Sequence, residues 1–128
     1  MEAKELRIGN YLKFLSKIEQ VESVIDSDWI RLSKSDLVPI NAAGLKPLDI
    51  TEEWLYKFKF KQHEVTNFYF LEIINDWTRI YFDPYHDICD LSISSHSAVL
   101  NKISFVHQLQ NLYFALTGEE LTINEDNE

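Results

Sequence analysis

The segment that most constrains the fold is the last periodic one. Between Ile103 and Leu116, the large side chains Phe105, Val106, Leu109, Leu112, Tyr113 and Leu116 fall within about 120° of a helical wheel. A stripe of that width has to be buried, so the chain must supply a sheet or a second helix to receive it. Thr117-Gly118 closes the helix, because Gly118 is free to take the left-handed conformation at the C′ position. Leu121 is then placed to fold back over the last turn.

The receiving surface is predicted from three strands. Residues 67–74 are apolar on both parities apart from Glu72, which predicts a strand covered on both faces. Residues 78–82 follow the polar corner Asn75-Asp76. Next, Cys89, Leu91 and Ile93 alternate with Asp90, Ser92 and Ser94, giving one buried and one wet face. Asp83-Pro84-Tyr85-His86-Asp87 connects the last two, and a three-stranded antiparallel meander is the simplest topology. Upstream, Thr51 is an N-cap candidate, with Glu52 and Glu53 in the first turn and Ile50 and Leu55 at the positions of a hydrophobic staple. The short helix presents Trp54, Leu55 and Phe58, and Lys57, Lys59 and Lys61 lie near its end, where the helix dipole favours cations.

Residues 6–33 read as a small antiparallel meander: Gly9-Asn10 and Asp26-Ser27-Asp28 are turn chemistry, and Ile30 and Leu32 alternate with Arg31 and Ser33. Pro39, Gly44 and Pro47 then mark a loop or edge. The expected fold is therefore α+β, with an N-terminal small antiparallel β lobe, a short helix, and a three-stranded antiparallel meander packed by a C-terminal helix. Residues 1–48 would form the β lobe with its linker, 49–121 the second lobe and 122–128 an acidic tail, unless the two lobes merge into one continuous domain.

Charge narrows the function. The net charge is −9, yet residues 1–61 balance, and everything from residue 62 onward carries only Arg79 and Lys102 as basic groups. That balance argues against a direct nucleic-acid or anionic-membrane binder, because phosphate affinity comes from clustered Lys and Arg. The lone Cys89 and the absence of a membrane-length apolar run fit a cytoplasmic protein. An acidic face either keeps the molecule soluble or steers it onto a basic partner.

Catalytic patterns are weak. Asp83, His86, Asp87, Cys89 and Asp90 match no closed zinc spacing, so neither metal nor cofactor is expected. Ser92, Ser94, Ser95 and Ser97 flank His96, but strand neighbours point to opposite faces and make a poor nucleophile–base pair. There is no phosphate-cradling glycine loop. The surface feature that stands out is a second stripe on the last helix: Ile103, His107, Gln110 and Phe114 lie opposite its core face. If exposed it would be an apolar patch rimmed by amides, as partner surfaces are; otherwise the N-terminal lobe covers it. Asp83, Asp87 and Asp90 would add the acidic contribution to such a contact.

Three anchors, in order, carry a resemblance: Leu6-Arg7-Ile8-Gly9-Asn10-Tyr11-Leu12; Ile50-Thr51-Glu52-Glu53-Trp54-Leu55 with Lys57-Phe58-Lys59-Phe60; and the run from Val106 to Leu121. Together they resemble a family of short uncharacterised proteins from phages, prophages and mobile elements of Bacteroidetes. The chain departs from that pattern at Lys59, where the family often has a glycine ending the helix, and at Asp49, where proline is expected. The resemblance implies no catalytic residues. It implies a small protein encoded by an element that competes with its host, in the host cytoplasm. The leading expectation is a non-enzymatic factor that binds another protein, such as an anti-CRISPR-like inhibitor of a host defence nuclease. The alternatives are a structural or adaptor component, which would self-associate, and a small hydrolase or metal enzyme.

Overall fold

The computed structural model describes residues 1–75, 77–93 and 96–123. Asp76, Ser94, Ser95 and the acidic stretch 124–128 lie outside the described residues. The architecture is α+β: two five-stranded antiparallel sheets, one twelve-residue helix and one short helix among the described residues.

The N-terminal sheet is formed by β1 (Tyr11–Phe14), β2 (Lys17–Val24), β3 (Trp29–Leu32), β4 (Leu37–Pro39) and β5 (Leu45–Lys46), in the order β4-β3-β2-β1-β5. Alternation sends Leu12, Val21, Ile30, Leu32, Val38 and Leu45 inward, where they form one apolar cluster with Leu6. Asp26 Oδ1 accepts from the backbone N–H groups of Asp28 (2.8 Å) and Trp29 (3.2 Å), which folds the β2–β3 turn as its residues predict. Glu19 is buried in this lobe without penalty because Lys34 N–H (2.8 Å) and the Ser35 hydroxyl (2.9 Å) donate to its carboxylate. The segment expected as a loop or edge around Pro39, Gly44 and Pro47 contains the two short outer strands β4 and β5.

Beyond it, α1 (Glu52–Lys57) starts at Thr51, whose Oγ1 accepts from Trp54 N–H (3.3 Å). Lys59 follows with φ at 73°, the left-handed conformation that glycine holds most easily. The second sheet comprises β6 (Lys61–Gln62), β7 (Tyr69–Glu72), β8 (Thr78–Asp83), β9 (Ile88–Ile93) and β10 (His96–Lys102), in the order β10-β9-β8-β7-β6. The expected three-stranded meander is thus its centre, extended by β6 on one edge and β10 on the other. Long α2 (Val106–Thr117) ends at Gly118, with φ 76° and its N–H bonded to Phe114 O at 2.8 Å. Val106, Leu109 and Leu121 pack with Trp54, Leu55, Phe58, Phe60, Ile80, Phe82 and Cys89 in a second apolar cluster.

Two expectations need correction. The helix begins at Val106, so Ile103 precedes it and is not part of its wheel. Strand β7 packs on the core by one face only, through Tyr69 and Leu71; on the other, Phe70 is half-buried beside its sheet neighbours Arg79, whose guanidinium is 4.5 Å from its ring centroid, and Tyr81 (5.8 Å).

The two clusters meet along a seam. Val106 N–H bonds Leu48 O (2.8 Å), Ile50 N–H bonds Ser104 O (3.2 Å), and Tyr11 of β1 reaches across to Trp54 at 5.2 Å between ring centroids.

Candidate functional site

The stripe opposite the core face of α2 is covered over three of its four positions. His107 and Gln110 are each 1 % exposed and Ile103 is buried as well, so this face is not available to a partner in the folded chain. The cause is the turn before β1. Gln110 Oε1 accepts from Tyr11 N–H (2.9 Å), and its Nε2 donates to Gly9 O (3.0 Å). Asn111 Nδ2 donates to Glu5 O (2.6 Å), while its Oδ1 accepts from Asn10 Nδ2 (3.0 Å) and Arg7 Nη1 (3.3 Å). Gly9 holds φ at 97°, which presents its carbonyl to the helix. Phe114 keeps 38 % exposure, but the Arg7 guanidinium lies 3.8 Å from its ring centroid and is itself bonded to Glu120. Amides on a helix can serve water or a distant backbone equally, so sequence periodicity could not decide between the two.

Burial also sets the chemistry here. Desolvation lowers the His107 pKa, partly opposed by Glu5, whose Oε1 stands 3.6 Å from Nε2. Neither ring nitrogen has a hydrogen-bond partner among the described residues. The Glu5 carboxyl is held low by its backbone hydrogen bond with Glu2, and His107 adds to that effect.

The acidic trio does not form a three-carboxylate cluster able to hold a metal ion among the described residues. Asp83 ends β8 and accepts from Tyr85 N–H (2.9 Å), with His86 Nδ1 2.7 Å from its other oxygen. Burial pushes the Asp83 carboxyl up, but these bonds outweigh it and leave it low. Asp87 occupies a left-handed turn position with φ 53°. Asp90 lies on the other face of β9 from Cys89, and desolvation, reinforced by Asp83, raises its pKa. Cys89 faces the core, where burial pushes its thiol up to about 12, far from a nucleophile's range. Among the described residues no group of three or more His, Cys, Asp or Glu side chains is placed to hold a metal ion, and no helix is long and apolar enough to cross a membrane. Ser94 and Ser95, two of the candidate nucleophiles, lie outside the described residues.

What the structure does present, and the sequence reading missed, is the tip of the β7–β8 hairpin. Ile74 is 75 % exposed and Trp77 61 % exposed. Ile74 holds φ at 64°, a conformation that a β-branched residue adopts only under strain. Asn75 fixes the turn: its Oδ1 accepts from Trp77 N–H (3.2 Å) and from the Thr78 hydroxyl (2.8 Å). Thr78 pairs with Ile93, so half-exposed Ile93 ends its strand at the same edge of the sheet. Asp83 and Asp87 sit at the other end of β8, about 17–20 Å away at the rise of an extended strand. The available signal was the Asn75-Asp76-Trp77 run itself, since turn-forming residues beside an indole leave that indole nowhere to be buried.

No family model, no curated protein and no solved structure matches this chain.

Proposed function

We propose that this chain is a non-enzymatic protein-binding factor that engages its partner with the β7–β8 hairpin tip. The observation that carries the reading is the pairing of two large exposed apolar side chains, Ile74 and Trp77, with a strained backbone that an ordinary turn residue would relieve. Trp is enriched at binding hot spots because it buries a large rigid area at small entropic cost. The tip projects from the portion of the chain that carries the whole net charge, with exposed Glu72 ending β7 beside it. A partner surface with an apolar recess inside a basic rim is the complement. In that arrangement Asp83, Asp87 and Asp90 contribute long-range potential rather than contacts.

The specific form of this proposal is an inhibitor of a host nucleic-acid-targeting defence nuclease, whose substrate channel is basic. The resemblance to mobile-element proteins and the charge support it. A second reading, a structural or adaptor component, is favoured by the seven-residue outer strand β10, whose free edge is longer than those of β4, β5 and β6. Affinity capture from a host lysate, comparing the native chain with Trp77→Ala and with Phe114→Ala, tests both. The inhibitor reading expects a nucleic-acid-guided nuclease that Trp77→Ala and high salt release, and Phe114→Ala does not. Capture of only further copies of the chain or of virion proteins would establish the second reading in its place.

A further inference from the structure

We infer that the N-terminal lobe carries a groove for a proline-rich, basic extended peptide, at the recess between the start of β3 and the end of β4. This goes beyond the function proposed above and uses the opposite lobe. The recess, of about 290 Å³, is lined by Ser27, Asp28, Trp29, Pro39, Ile40 and Asn41. Trp29 and Pro39 are a registered cross-strand pair, so an indole and a pyrrolidine ring stand side by side on the outer face of the sheet. Trp29 is 42 % exposed, a large open area for an indole at a strand's first residue. The floor is fixed by Ile40 N–H bonding Asp28 O at 2.8 Å. A second recess of about 470 Å³, reaching Met1 and Val24, shares Ser27 and Ile40 with the first, so the two adjoin.

The polar groups select the occupant. The Trp29 indole N–H, the Asn41 amide and the Ser27 hydroxyl have no hydrogen-bond partner among the described residues. A polyproline II segment has no internal hydrogen bonds, and its prolines have no N–H, so it offers chiefly unpaired carbonyl oxygens. Donors beside an exposed indole and a proline ring are the complement of that backbone, the combination by which aromatic-lined grooves take proline-rich segments. Asp28 lines the recess and Asp26 lines the adjoining one. Lys4 and the N-terminal Met1 offset Asp26 in the adjoining recess, so Asp28 is the carboxylate that an Arg or Lys flanking the prolines would neutralise. Asp26 also holds the rim turn in place through Asp28 N–H and Trp29 N–H.

The test is a heteronuclear NMR titration of the full chain with a synthetic peptide in which an arginine precedes a Pro-x-x-Pro core. The control peptide has alanine at both prolines. Saturable shifts are expected at the Trp29 indole N–H and at the amides of Ser27, Asp28, Ile40 and Asn41, with the control bound about tenfold more weakly or worse. Trp29→Phe keeps the ring but loses the N–H, and is expected to weaken binding about fivefold, the worth of one hydrogen bond. Asp28→Asn is expected to weaken it and to flatten its dependence on salt. Both changes lie at the surface, and a dispersed spectrum of each variant shows that it is folded. No shift at millimolar peptide, equal binding of the alanine control, or shifts centred on the other lobe would overturn the assignment. So would the same resonances moving with protein concentration alone, which would make a second copy the occupant, or with lipid vesicles in place of peptide.

Discussion

At His107 an imidazole sits in the seam between the lobes with neither nitrogen bonded among the described residues, and its neighbours include the Glu5 carboxylate and the cationic N-terminus. The folded state therefore prefers the ring neutral. As pH falls through the ordinary imidazole value near 6.5, the unfolded chain takes up a proton that the folded chain resists, so stability declines on acidification. Melting temperature is expected to drop from about pH 7.5 to about pH 5.5 in the native chain, and His107→Leu is expected to flatten that slope. A slope unchanged in the variant would place its origin elsewhere. Glu5, whose carboxyl is held low, adds a separate contribution that is lost only as pH falls below the usual carboxylate range. His107 also shows the limit of reading a helical face. Periodicity placed it away from the core stripe, and it is away from it; nothing in a local pattern says that a second lobe waits on that side.

Among the elements, the β7–β8 hairpin carries a conflict between local preference and conformation. Ile74 sits at φ 64° where glycine or asparagine would rest without strain. Ile74→Gly is expected to stabilise the chain by about 1 kcal/mol, read from the urea midpoint, while weakening capture of the partner. A gain in stability with capture intact would detach the strain from binding. Other elements differ in how far they were legible. The caps of α1 and α2 rest on single residues, Thr51 and Gly118, whose chemistry has few uses, and both stand where expected. The central strands β8 and β9 announce themselves by alternation. Strand β6 is two residues long, too short for any period, and its Lys61 read as the cationic end of a helix. Strand β10, His-Ser-Ala-Val-Leu-Asn-Lys, lacks the β-branched and aromatic density of its neighbours and is held by pairing to β9. The hairpin tip was legible only in part: Asn75-Asp76 beside Trp77 marks a turn with an indole on it, but the exposure of Ile74 depends on what does not pack there, and no local pattern encodes that.

For the molecule as a whole, the polar clasp between α2 and the turn before β1 decides whether two small apolar clusters behave as one unit. Gln110→Ala deletes both of its bonds across the seam, leaving the Gly9 carbonyl with its bond from Gln20 Nε2 (3.2 Å), at an expected cost of about 1–3 kcal/mol. Urea unfolding should show that loss in a single transition followed equally by the fluorescence of Trp29 and of Trp54, one from each lobe. Two separated transitions in the native chain would mean that the lobes unfold independently. The anchors at the two ends, which carried the resemblance, are in this structure largely the two halves of that clasp. Its bonded partners are 99 to 113 residues apart along the chain. During synthesis the first sheet therefore leaves the ribosome well before the helix that seals it. For that interval the bonds that α2 will make to Glu5, Gly9 and Tyr11 are missing, and the nascent lobe waits with an open flank until residues 106–121 emerge.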